Sequence, residues 1–269
     1  MKRNHGDPIW VDLSTHDIEG ATSFYAEVFG WDIVDQGEDY GHYHFATVNG
    51  QPVAGVMSSL FGPEGPTEEP TGPTQWGVSL QVDDIDEVLR RVESAGGTVV
   101  FAAVDVADLG RMAGCVDTTG AFVSFWQPKE FAGFAEGAGA PVWFELMARR
   151  YEAALDFYRE VLGWEYHYTS EDGASTGIPP AGQGFRYATN GTAEEASAGI
   201  CDAANLPEEA GSYWRFYLPV DDVDATCAKI TAAGGSLLDG PIDSPFNRIA
   251  TVADPQGASF QIGARETAE

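Results

Sequence analysis

Basic residues are scarce in this sequence: fourteen Lys and Arg stand against 42 Asp and Glu, a formal charge of −28. A field of that sign repels polyphosphate backbones and anionic bilayers at long range, so neither nucleic acid nor a membrane is an expected partner. The surplus acid either solvates the surface or draws in a cationic ligand. Cysteine is also scarce. Cys115, Cys201 and Cys227 are odd in number, widely spaced and outside any Cys-x-x-Cys pattern. That argues against a disulfide framework or a structural zinc site and fits a reducing compartment. No stretch of about 18 apolar residues occurs, and the first residues lead into no apolar run of signal-peptide type, so the expected location is cytoplasmic. The chain also lacks a nucleophile-elbow sequence, a phosphate loop and a Gly-x-Gly-x-x-Gly after a strand, which leaves serine hydrolases and dinucleotide oxidoreductases without support.

What is present is a duplication. Residues 8–31 (PIWVDLSTHDIEGATSFYAEVFGW) align without gaps on residues 141–164 (PVWFELMARRYEAALDFYREVLGW). VDDIDEVLRRVESAGGTVV from Val82 aligns on VDDVDATCAKITAAGGSLL from Val220, and GRMAGCVDTTGA and NRIATVADPQGA follow in the same order. The expected domains are therefore residues 1–130 and 141–269, joined by a linker over residues 131–140. Each half divides again. Residues 9–13 alternate as a strand, with Trp10 and Asp12 on one face and Ile9, Val11 and Leu13 on the other. Ala21, Phe24, Tyr25 and Val28 recur at helical spacing, and Gly30 is the expected C-terminal stop. Acidic pairs at Asp83-Asp84 and Asp221-Asp222 suit helix N-termini, and short extended runs follow each helix, among them residues 42–48, 53–57 and 122–126. The predicted class is α+β, a βαβββ module repeated four times.

Four such modules, with a Phe-Tyr-x-x-Val-[Phe/Leu]-Gly-Trp helix and a closing Asp-x-x-Gly-Ala, resemble the vicinal-oxygen-chelate superfamily of glyoxalases, bleomycin-resistance proteins and extradiol dioxygenases. The WVDL and WFEL openings and Asp254-Pro255-Gln256-Gly257 resemble an actinobacterial branch of it labelled hydroxylase or glyoxalase-like. The resemblance implies two half-barrel domains, each with a site on its concave face. It does not fix the function, because members include lyases, dioxygenases, epimerases and proteins that sequester antibiotics.

In metal-dependent relatives the first ligand stands fourteen residues before the helix Phe, which here gives Trp10 and Trp143. The next stands five residues before the Val preceding the acidic pair, giving Gly77 and Arg215, and the last stands four residues after the closing Gly, giving Ser124 and Gln261. A further carboxylate used by some relatives maps to the bare neighbourhoods of Gly55 and Gly199. None of these sets suits a divalent cation, so no metal or other cofactor is expected. A displaced metal site would have to draw on Asp12, Glu145, His42 or His44.

The same alternation that turns Trp10 and Asp12 inward in the first half turns Trp143 and Glu145 inward in the second, with Arg215 and Tyr217 on an inward face. The expected ligand-binding residues are thus Trp10, Trp143, Arg215, Tyr217, Ser124, Gln261 and His44. Indole walls with a carboxylate suit a planar aromatic or cationic small molecule. Asp12 and Glu145 are the candidate catalytic residues, because desolvation raises a carboxyl pKa toward general-base range. Trp31, Trp76, Trp164 and Trp214 read as core. Arg111 and Arg248 could anchor a ligand anion or pair with Asp105 and Asp243. The expected function is metal-independent binding of, or action on, a small amphipathic or aromatic metabolite or antibiotic by a monomer or homodimer. The alternative is a metal-dependent lyase or dioxygenase. Arg215 favours a cavity containing the second half, while two module pairings, neighbours within a half or first with fourth, are both compatible with the sequence.

Overall fold

A computed structural model describes residues 3–62, 65–135, 137, 139–169, 186–192, 194–244 and 247–265. The first half runs β1 (Pro8–Thr15), α1 (Ile18–Phe29), β2 (Asp32–Asp35), β3 (His44–Val48), β4 (Gln51–Ser58), the short pair β5 (Phe61–Gly62) and β6 (Gly65–Pro66), then β7 (Gln75–Gln81), α2 (Ile85–Ser94), β8 (Thr98–Val106), β9 (Gly110–Val116) and β10 (Phe122–Pro128). The second runs β11 (Trp143–Ala148), α3 (Tyr151–Leu162), β12 (His167–Thr169), β13 (Tyr187–Thr189), β14 (Gly199–Asp202), β15 (Tyr213–Val220), α4 (Val223–Ala232), β16 (Ser236–Asp243), β17 (Arg248–Ala253) and β18 (Ser259–Ala264). Each half forms one eight-stranded mixed sheet, in the orders β2-β3-β4-β1-β7-β10-β9-β8 and β12-β13-β14-β11-β15-β18-β17-β16. These are two tandem domains of the expected α+β type, four βαβββ modules in all. No helix among the described residues is long and apolar enough to cross a membrane.

Local chemistry explains the elements. Gly30 and Gly163 end α1 and α3 at φ 69° and 71°, a left-handed turn that costs glycine nothing, and each donates its N–H back into the last helical turn. Asp84 and Asp222 cap α2 and α4 by accepting the backbone N–H of Glu87 and Ala225. On β1 the side chains of Ile9, Val11 and Leu13 are wholly buried on the helix-facing side, about 1.5–3 kcal/mol of burial each.

By packing, the chain divides into two compact units, and each draws on both halves of the sequence. One comprises Met1–Ile9, Val78–Ala132 and Trp143–Arg215; the other comprises Trp10–Gly77, Gly133–Val142 and Phe216–Glu269. The two pairings left open by the sequence therefore both have a counterpart: modules one and two share a sheet, while modules one and four share a compact unit. Inside the second unit the Trp76 indole donates to the Tyr25 hydroxyl at 2.9 Å, which donates to Asp254 of the closing loop at 3.1 Å. Inside the first, Trp214, Tyr158 and Asp117 repeat that chain at 2.9 and 3.1 Å. Trp31 and Trp164 stack back on Tyr25 and Tyr158, both at 5.1 Å between ring centroids, so all four expected core tryptophans are core.

Candidate functional site

In the first half, strand alternation brings the Trp10 and Asp12 side chains onto one face of β1. The Trp10 indole N–H lies 3.1 Å from Asp12 Oδ1 and 2.7 Å from the Tyr43 hydroxyl, which itself donates to Asp12 Oδ1 at 2.5 Å. Phe45 flanks both rings, 5.6 Å from Trp10 and 5.4 Å from Tyr43 between centroids. Gly55 on β4, paired with Asp12, makes this closeness possible: a Cβ there would collide with the Tyr43 hydroxyl and stand 2.5 Å from Asp12 Oδ1. Asp12 Oδ2 accepts no hydrogen bond from any described residue and is not sealed from solvent. Burial pushes the Asp12 carboxyl up to about 6, against the opposing hydrogen bonds from Tyr43 and Trp10. Burial and the Asp12 charge push the Tyr43 hydroxyl well above its ordinary value, so Tyr43 remains a donor.

The second half repeats the frame. The Trp143 indole N–H lies 2.8 Å from the Tyr187 hydroxyl and 3.3 Å from Glu145 Oε1, and Tyr187 donates to that same oxygen at 2.8 Å. Gly199, paired with Glu145, again leaves room, since a Cβ there would collide with the tyrosine hydroxyl. The other carboxylate oxygen is taken. Arg215 donates to Glu145 Oε2 from Nε at 2.8 Å and Nη2 at 2.6 Å, with the two side chains only 18% and 11% exposed. Met147, Tyr187, Cys201 and Ala203 pack beside the pair, with Trp143, Leu206 and Tyr213 partly buried against them.

The domain-scale signature of the sequence agrees with known proteins. The family model described as the Glyoxalase/Bleomycin resistance protein/Dioxygenase superfamily matches residues 8–125 and again 140–262. The chain belongs to this superfamily. A Mycobacterium tuberculosis protein, CFP32, which carries glyoxylase as a provisional name, is 37% identical over 96% of this chain and 94% of its own length. The anthracycline biosynthesis protein DnrV of Streptomyces peucetius is 32% identical over 96% of this chain and 92% of its own. Among solved structures, the Mn(II)-bound glyoxalase from Novosphingobium aromaticivorans superposes with a TM-score of 0.63 at 15% identity, covering 97% of this chain and 82% of that one. The 2,3-dioxygenase LapB from Pseudomonas sp. KL28 gives 0.63 at 13%, covering 98% and 94%. Members of the superfamily bind small-molecule substrates.

The superfamily's metal-dependent members imply a divalent cation, and the residues here do not fit one. The aligned positions offer two indoles, a glycine, a guanidinium, a hydroxyl and an amide, and Arg215 sets a positive charge directly on the second-half carboxylate. Among the described residues no group of three or more His, Cys, Asp or Glu side chains is arranged to hold a metal ion.

The structure thus joins Trp10 with Asp12, and Trp143 with Glu145 and Arg215. Tyr217 shares the Arg215 face of β15, as expected, and the other expected residues stand on nearby strands. Tyr217 and Gln261 face each other on β15 and β18, where Gln261 Oε1 accepts from Thr251 at 2.9 Å, and Ser124 is buried opposite Ser79 and Gly114. His44, expected on the ligand face, stands between Tyr43 and Phe45 in an extended strand, so its side chain leaves the opposite face, with Nδ1 buried and unpaired. Arg111 pairs with Asp86 at 2.8 and 3.1 Å rather than with Asp105, which Lys129 holds; Arg248 does pair with Asp243, and with Asp224. Tyr43 and Tyr187 are the residues that sequence reasoning missed. Their signal was a tyrosine twelve residues before the bare glycine in both halves, 43 to 55 and 187 to 199.

Proposed function

We propose that the chain binds a small aromatic or amphipathic molecule at the first-half site without a divalent metal, using the Trp10 indole as a wall and Asp12 Oδ2 as the acceptor for a donor group of the ligand. One observation carries this reading: a desolvated carboxylate is fixed through one oxygen by two donors while its second oxygen is reachable and unclaimed by any described residue. Burying a carboxylate half-satisfied costs free energy, and a ligand that donates to it recovers part of that cost. The kinship with DnrV, named for anthracycline biosynthesis, adds planar polyketide-type molecules to the ligands worth testing. The second-half site, neutralised by its own arginine, serves the fold in this reading.

The elevated Asp12 pKa favours a second reading, proton transfer on the bound molecule. A carboxyl near 6 is mostly ionised at neutral pH and is a stronger base than an exposed aspartate. Oδ2 would take the proton while Tyr43 and Trp10 keep Oδ1 in place.

The test is a ligand panel of hydroxyquinones and related planar aromatics, read by calorimetry against the wild type, Trp10→Phe and Asp12→Asn, beside elemental analysis of untagged protein. Binding lost by about tenfold or more in both variants supports the reading. Binding that ignores both changes, or a near-stoichiometric metal that raises the melting temperature, overturns it. If Asp12→Asn keeps binding and loses turnover of the same compound, proton transfer is the role of Asp12.

A further inference from the structure

We propose that the first-half site takes a small organic cation, a planar amidinium, guanidinium or protonated amine, in the place that the Arg215 guanidinium fills in the second half. This rests on the reading of Trp10 and Asp12 as a ligand site and names the class of ligand.

The two sites are one construction built twice, with an indole N–H and a phenol O–H converging on one carboxylate oxygen over a glycine. They diverge at the position five residues before the valine that precedes the acidic pair, Arg215 in one half and Gly77 in the other. In the second half the arginine completes the carboxylate with two charge-assisted hydrogen bonds to Oε2. In the first half the corresponding oxygen, Asp12 Oδ2, has no donor among the described residues. Gly77 also leaves its own position open: a Cβ built on it makes only ordinary contact, with the Asp12 backbone oxygen at 3.8 Å. Asp12 is also one methylene shorter than Glu145, which draws its carboxylate back toward the strand and lengthens the gap. Arg215 is therefore an internal copy of the ligand group that the first half lacks.

Charge decides between a cation and a neutral donor. A single carboxylate with one oxygen already satisfied is a poor site for a metal ion, which needs several anionic oxygens, but a good one for a delocalised nitrogen cation. The Trp10, Tyr43 and Phe45 rings clustered beside the carboxylate suit a cation attached to flat hydrocarbon. The formal charge of −28 raises the local concentration of cations and repels anions.

The experiment is calorimetric titration of the full chain with benzamidine and with benzamide, its neutral twin of nearly the same shape. Benzamidinium is expected to bind at one site per chain, about tenfold or more tighter than benzamide. Gly77→Arg, which supplies the internal cation, should abolish that binding; Arg215→Gly should add a second benzamidinium site. Asp12→Asn, which keeps the shape and removes the charge, should erase the preference for the cation, and so tests the idea even where Gly77→Arg fails to fold. Equal affinity for the two probes, or benzamidinium binding that persists in a folded Gly77→Arg protein, overturns the inference. If neutral planar aromatics then still bind in a Trp10-dependent way, only the cation class has failed; if nothing binds in a Trp10- or Asp12-dependent way, the reading of the site has failed with it.

Discussion

The two carboxylate sites share an indole, a phenol and a glycine, and they differ in who supplies the last partner. Glu145 is saturated by the protein itself; Asp12 is left with a reachable oxygen and an elevated pKa. A duplicated frame thus carries a closed, self-neutralised version and an open one, and divergence at position 77 against 215 is enough to separate them. By sequence, Arg215 favours a cavity containing the second half, with its cation available to a ligand. In the structure its charge is spent on Glu145, so that preference reverses under the proposal above.

The largest effect should come from breaking the closed site. Arg215→Met leaves Glu145 as a buried, uncompensated charge, at a cost of about 3–5 kcal/mol, whereas removing both charges with a Glu145→Leu, Arg215→Met double change should restore most of it. Urea denaturation of the two proteins measures this. If the single and double variants lose the same stability, the pair does not neutralise the site as described.

The open site should reveal itself through pH. The folded Asp12 carboxyl titrates near 6 and the unfolded one near 3.9, so between those values the native state holds the extra proton. Its contribution to stability is present below about pH 4 and lost as pH rises through about 6, a change of about 3 kcal/mol. Many other carboxylates titrate in the same range, so the comparison is wild type against Asp12→Asn: the wild type should lose ground to the variant from pH 4 to 7. Parallel curves would mean that Asp12 is solvated.

A smaller effect, about 1–3 kcal/mol, is expected when the shared glycine is filled. Gly55→Ala and Gly199→Ala each drive a methyl into a tyrosine hydroxyl, and both should destabilise the chain in thermal melts. Only Gly55→Ala should also disturb the titration of Asp12, because only there does the phenol tune an unpaired carboxylate.

How much of this was legible in the sequence depends on the range of the interaction. Trp10 and Asp12 share a face because a strand alternates, and Gly30 stops a helix because of its own backbone freedom; both facts lie within a few residues and were readable. The partner of Asp12 was not, because Tyr43 reaches it across a hairpin that is 11 residues shorter than its counterpart in the second half, so that a gap-free alignment never set Tyr43 beside Tyr187. His44 lies on a nearby strand, as expected, but the alternation of that strand turns its side chain to the opposite face. The sequence offers Arg111 a ligand anion or Asp105, its cross-strand neighbour, yet Arg111 pairs with Asp86 on α2, a contact set by helix packing rather than by strand register. The aromatic core was readable as hydrophobic, yet the chain from Trp76 through Tyr25 to Asp254 joins motifs more than two hundred residues apart, and only the fold brings them together.

The finest discrimination between the sites is the tyrosine itself. Tyr43→Phe removes the shortest hydrogen bond to Asp12 and leaves the indole as its one remaining donor among the described residues. Since that bond opposes the effect of burial, the Asp12 pKa should climb further above 6 in the variant. Tyr187→Phe removes the equivalent bond from Glu145, which retains Trp143 and both donors of Arg215, so it should cost only about 1 kcal/mol and leave Asp12 unmoved. Carbon-13 NMR titration of labelled aspartate in the two proteins reads the difference. If Asp12 moves equally in both, the two frames are coupled and cannot be treated as one open and one closed copy; if it moves in neither, Tyr43 does not donate to it in solution.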